Sequence, residues 1–261
     1  VGPSRVTAGE RAEDAAVSAR LDRLELQADR RRVIARRRAG SGPSVVLLHA
    51  LAGSWRWWAW TLPHLDPGRD VWVPDRPGFG ASPGLPLAPE AEARVLAEAL
   101  DPLGVDAMHL VGHSMGGAVA AELAARYPGR VKSLVLIDPA GWPTPYVPRY
   151  LARLASPWSW CRLRFLPVLL TDVARTRPLR LAVGIRRVTA YDIRPALGRI
   201  ESPTCIVWGE RDRLFLPEQG RALADRVANA RWRPIAGAGH IVPADRPAEL
   251  ASVLEGFWRS V

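Results

Sequence analysis

Short runs of consecutive apolar residues recur along the chain, each followed by a longer stretch whose apolar positions fall three or four residues apart. The runs are "SVVLLHA" (44–50), "DVWVPD" (70–75), "MHLVGH" (108–113), "SLVLID" (133–138), "TCIVWG" (204–209) and, more weakly, "ARWRPI" (230–235). Unbroken apolar runs of this length suit strands buried on both faces. Upstream, "LDRLELQADRRRVIARRR" alternates and predicts two strands around a turn at Ala28 and Asp29. The stretches "PEAEARVLAEALDPLG", "MGGAVAAELAARYPG", "PEQGRALADRVAN" and "PAELASVLEGFWRSV" predict helices between and after the strands. Strands alternating with helices predict an α/β protein, with a mostly parallel central sheet covered by helices on both faces.

One interval breaks the rhythm. Residues 139–203 contain no strand pattern and are rich in proline, tryptophan, arginine and leucine, with helical stretches such as "VPRYLARLASPW" and "FLPVLLTDVARTRPLRLAVGIRRV". So long an interval is too much for a plain loop in a compact domain. It predicts a helical insertion over the end of the sheet, dividing the chain into a core at 1–138 and 204–261 and an insertion at 139–203.

Composition narrows the classes. The 261 residues are 48% hydrophobic and carry a formal charge of +10, and all but one of the 36 basic residues are arginine. The excess raises nucleic acid as a partner, but no nucleic-acid-binding module accompanies it, and the expectation is a solvated basic surface with no nucleic-acid partner. Two cysteines give neither a metal spacing nor a disulfide framework. No apolar stretch approaches the length of a membrane span, and "VGPSRVTAGERAEDAAVSAR" lacks the apolar centre of a signal peptide, so a cytoplasmic protein without a membrane partner is expected.

The chemistry concentrates in "VGHSMGGAVAAELA" (111–124), where Ser114 falls in the turn between a predicted strand and helix. Gly112, Gly116 and Gly117 leave room for a strained turn that projects the hydroxyl off the carboxyl edge of the sheet, the G-x-S-x-G nucleophile elbow. A serine merely capping the helix at 115 is the plainer account of the same residues. A nucleophilic serine also needs a base and an orienting carboxylate, because its hydroxyl is too weakly acidic to attack an acyl carbon unaided. Of the five histidines, His49, His64, His109 and His113 read as structural, with His113 expected on the far side of the turn from Ser114. His240 stands in the glycine-rich "IAGAGHIVPADRP" beyond the last strand, and Asp212 leaves another strand in "TCIVWGERDRLFLP". Ser114, Asp212 and His240 follow the chain order Ser, Asp, His. Asp138, at the end of the strand after the elbow helix, competes for the acid's role.

These motifs, with "HALAGS" (49–54) and "DRPGFGAS" (75–82), resemble the α/β-hydrolase fold superfamily over nearly the whole chain, in its serine-nucleophile branch with a helical cap. The resemblance implies an esterase-like serine hydrolase acting on a small-molecule acyl substrate without a cofactor or metal. It also implies an oxyanion hole made by the backbone N–H groups of Leu51 and Met115. Ala50 stands where the family usually has glycine. Branches with an aspartate nucleophile are set aside because this chain has serine at 114. Carbon–carbon bond hydrolysis, perhydrolysis and acyl transfer use the same triad, and a non-catalytic binding protein on the same scaffold is the remaining alternative. Trp55, Phe79, Tyr146, Leu151 and Trp158 are candidates to line an apolar pocket, and Arg149 and Arg153 belong to a solvated helix face.

Overall fold

Eight strands form a single sheet at the places where the hydrophobic pattern puts them. The computed structural model describes residues 21–28, 30–105, 107–142, 148, 152–153, 155 and 162–261. The strands are β1 (Asp22–Ala28), β2 (Arg31–Arg38), β3 (Ser44–Leu48), β4 (Asp70–Pro74), β5 (Met108–His113), β6 (Val131–Ile137), β7 (Thr204–Gly209) and β8 (Arg231–Ile235). Their order across the sheet is β1-β2-β4-β3-β5-β6-β7-β8. Only β2 runs against the rest, pairing antiparallel with β1 and β4, while the other neighbours pair in parallel.

The helices follow from parallel pairing, since each return to the start of the next strand must cross a face of the sheet. Alternate strand residues face opposite ways. Val46, Leu48, Leu110, Leu134 and Ile206 pack under helices α1 (Pro89–Leu100) and α2 (Met115–Arg126). Val45, Leu47, Val71, Val111, Val135 and Val207 form the other layer with Leu250, Leu254 and Trp258 of the closing helix. Both faces of the inner strands are therefore dry, which is why their sequences are unbroken apolar runs. β8 is an edge strand that exposes Arg231 and Arg233, and its pattern is correspondingly weak.

Among the described residues of 139–203 there is no strand. Helices α3 (Leu166–Arg175), α4 (Pro178–Ala190) and the short α5 (Arg194–Leu197) each carry a proline in the first turn, where its missing N–H costs nothing. Among the described residues the other α-helices with given bounds are α6 (Pro217–Ala224), α7 (Val242–Asp245) and α8 (Pro247–Trp258).

The helices between β6 and β7 rest on the loop after β3. Phe165 is fully buried, with its ring edge-on to Trp57 at 4.9 Å between centroids. Asp172 of α3 is buried and accepts hydrogen bonds from Ser54 Oγ at 2.7 Å and Trp57 Nε1 at 3.1 Å. Gly184 of α4 lies so close that a Cβ there would stand 2.6 Å from Leu51 Cδ1 and 3.1 Å from Phe79 Cζ. No helix among the described residues is long and apolar enough to cross a membrane.

Candidate active site

The turn between β5 and α2 holds Ser114 at φ 54 and ψ −118, a region costly for a residue with a Cβ. The neighbouring chain clamps it there. The Ser114 N–H donates to the Ile137 carbonyl, and the Ser114 carbonyl accepts from Gly117 N and Ala140 N, all at 2.9 Å. A Cβ at Gly116 would stand 2.4 Å from the Leu48 carbonyl oxygen, so only glycine lets the first turn of α2 press onto the end of β3. That contact brings Met115 beside the loop holding Leu51.

His240, carried by the loop between β8 and α7, accepts the Ser114 hydroxyl at its Nε2 across 3.0 Å. Its Nδ1 is 2.7 Å from Asp212 Oδ2. A carboxylate can only accept, which places the imidazole proton on Nδ1 and leaves Nε2 free to receive the serine proton. Asp212 Oδ1 accepts from the N–H groups of Leu214 and Phe215 at 2.7 and 3.0 Å, fixing the carboxylate on the loop after β7. All three side chains are buried.

Asp138 does not reach His240 in the same way. Its Oδ1 accepts from Gly209 N at 2.9 Å, and complete burial together with the Asp212 charge pushes its carboxyl well above the usual range. Burial and the neighbouring carboxylate thus both disfavour ionisation of Asp138.

The predicted oxyanion donors sit where α2 meets the loop after β3. Among the described residues, neither Leu51 N–H nor Met115 N–H donates a hydrogen bond. Ala50 is buried without a left-handed backbone, and the loop places that strain at Ala52, φ 54, so alanine at 50 is accommodated. Below the loop, the Arg76 N–H donates to His49 Nε2 at 2.9 Å and Arg76 Nη1 to the His49 carbonyl at 3.0 Å. The Arg76 guanidinium is held by Glu92 at 2.5 and 2.9 Å, with neither side chain exposed. A bidentate pair of this kind fixes the direction of the arginine, and through it the loop.

His113 donates from Nε2 to the His240 carbonyl at 2.7 Å, and its ring centroid is 5.1 Å from that of His240. Burial, then the nearness of His240, hold its pKa well below the ordinary value, so it pins the His240 loop as a neutral donor. His113, Asp138 and His240 bring ligand-type atoms within 4.8 Å of one another, and the hydrogen bonds above engage one atom of His113, one of Asp138 and both ring nitrogens of His240.

The candidate pocket residues divide. Phe79 belongs to the same apolar cluster as Met115 and packs against the insertion at Gly184. Trp55 does not reach it. It packs in the cluster of the opposite sheet face, with the Arg36 and Arg56 guanidinium groups over its ring. Trp57, whose ring is 5.9 Å from that of His113, takes the place expected of Trp55. Along a turn of 3₁₀ helix these two side chains point apart, a phase that "GSWRWWAW" does not disclose. Tyr146, Leu151, Trp158 and Arg149 lie outside the described residues, and Arg153 donates to the Leu214 carbonyl.

A mostly parallel sheet with an elbow serine, hydrogen-bonded through a histidine to a buried aspartate, defines a class of hydrolase. Comparison with known proteins agrees. Residues 43–162 match the family model described as alpha/beta hydrolase fold. A 2-hydroxy-6-oxo-6-phenylhexa-2,4-dienoate hydrolase of Comamonas testosteroni is 29% identical, over 85% of this chain and 89% of its own. RutD of Pseudomonas savastanoi pv. phaseolicola, named for carbamate hydrolysis, is 31% identical, over 76% of this chain and 86% of its own. Among solved structures, the enol-lactonase of Burkholderia xenovorans superposes with a TM-score of 0.78 at 25% identity, covering 90% of this chain and 100% of that one. The protein belongs to the α/β-hydrolase fold family.

Proposed function

We propose that the protein is a serine hydrolase that cleaves an ester-like acyl bond of a small or medium, largely apolar substrate. The observation that carries this reading is the relay from Ser114 through His240 to Asp212. Ser114 Oγ attacks the carbonyl carbon while its proton passes to His240 Nε2. Asp212 stabilises the imidazolium, and the N–H groups of Leu51 and Met115 stabilise the oxyanion. The C–O bond then breaks, the leaving alcohol takes the proton from His240, and water repeats the sequence on the acyl-enzyme. The insertion serves as a cap over this site, with Phe79 and Trp57 as apolar walls.

The Comamonas relative favours a second reading, in which the same residues cleave a carbon–carbon bond. Fluorophosphonate labelling, followed by turnover of p-nitrophenyl esters, lactones and vinylogous diketones, tests both. The expected result is labelling abolished by Ser114→Ala, and ester turnover rising several-fold per added acyl carbon until the pocket fills. Turnover confined to the diketones selects the second reading. Labelling retained in Ser114→Ala overturns both.

A further inference from the structure

Charge and apolar exposure coincide on the outer face of the insertion. Residues 139–190 contain nine arginines and a single acid, and of the arginines Arg175 and Arg177, at and after the end of α3, and Arg186 and Arg187 of α4 are exposed. The acid, Asp172, is turned inward onto Ser54 and Trp57. With Leu169 and Asp172 of α3 and Gly184 and Val188 of α4 buried, the opposite sides of both helices face solvent. Those sides present Leu170, Ala174 and Arg175 on α3, and Leu179, Ala182, Arg186 and Arg187 on α4. Leu163, Leu179 and Leu170 are 75%, 65% and 58% exposed, the three most exposed large apolar side chains among the described residues.

We propose that this face docks on an anionic lipid bilayer. Exposed leucines set among arginines are what an interfacial helix presents, the apolar groups entering the acyl boundary while the guanidinium groups reach the phosphates. Each basic residue near such a surface strengthens binding about fivefold. A second copy of this chain is a poor occupant, because like faces would set arginine against arginine. Nucleic acid would use the arginines but not the leucines, since single-strand readers stack bases on aromatic rings and duplex readers contact phosphates. Docking here depends on neither Ser114 nor the bond cleaved.

Co-sedimentation of the full chain tests the proposal, using vesicles of phosphatidylcholine alone or with about one-third phosphatidylglycerol. Binding is expected only to the anionic vesicles, and is expected to weaken as salt rises. The double variant Leu170→Glu, Leu179→Glu should lose at least about tenfold in affinity, and Arg186→Gln, Arg187→Gln should lose a comparable factor. Labelling of Ser114 should remain normal in both variants, showing that they fold. Three outcomes overturn the proposal: no vesicle binding, equal binding to neutral vesicles, or binding that the leucine variant retains in full. Tighter, leucine-independent binding to a short DNA duplex would reassign the face to nucleic acid.

Discussion

At the scale of single residues, the two carboxyl groups beside His240 play different parts because their surroundings differ. Asp212 points one oxygen at His240 and the other at two backbone N–H groups. Asp138 has one backbone donor, and its complete burial together with the Asp212 charge pushes its carboxyl well above the usual range. Asparagine is nearly isosteric with a protonated aspartic acid and keeps its acceptor for Gly209. Asp138→Asn is therefore expected to leave kcat within about tenfold, whereas Asp212→Asn should lower it by ~10³ to 10⁴ with little change in KM. Steady-state kinetics on the two variants decide the matter, and the reverse ranking would make Asp138 the orienting acid. The chain order of Ser114, Asp212 and His240 was legible in the sequence, as was the competition from Asp138. What separates the two acids is the direction of one carboxylate, which depends on how the loops after β6 and β7 fold against each other.

At the scale of elements, strands were legible in proportion to their burial. β3, β5, β6 and β7 are dry on both faces and read as unbroken apolar runs, while β8 carries its arginines on an exposed edge and reads faintly. The seat of the insertion was not legible, because it depends on contacts between residues more than a hundred positions apart. Asp172 is the clearest case. Ser54 and Trp57 donate to it from the loop that carries Leu51, and it is the polar fastening between α3 and that loop. Hydrogen bonds to a charged acceptor contribute about 1.5–3 kcal/mol each, and their loss leaves two buried donors unmatched. Asp172→Ala is expected to destabilise the protein by about 3 kcal/mol and to make 166–190 the first segment cut in limited proteolysis. Unchanged cleavage kinetics in this variant would mean that apolar packing around Phe165 alone seats the insertion.

At the scale of the whole molecule, buried ionisable groups pull stability in opposite directions as the pH falls. Burial and the nearby Arg76 charge push His49 down to about 3, and burial also lowers His109, to about 4. Unfolded histidines take up protons below about 6.5, so each neutral buried histidine costs the folded state stability as pH drops from there toward its folded value. Asp75 acts the other way. Burial raises its pKa to about 6, so the folded state gains a proton before the unfolded one does, and stability rises as pH falls from 6 toward the ordinary carboxylate range. The opposed slopes partly cancel. A difference measurement separates them. His49 accepts the Arg76 N–H at Nε2 and donates from Nδ1 to the Ala50 carbonyl at 2.8 Å, an arrangement open only to the neutral ring. His49→Gln removes this titration and should cost stability at pH 7, since the replacement holds the loop less well. The cost should shrink by about 2 kcal/mol at pH 5, where keeping His49 neutral penalises the parent protein alone. Urea unfolding of both proteins at the two pH values gives the comparison, and a gap that stays constant would show that His49 takes a proton in the folded state as readily as in the unfolded chain.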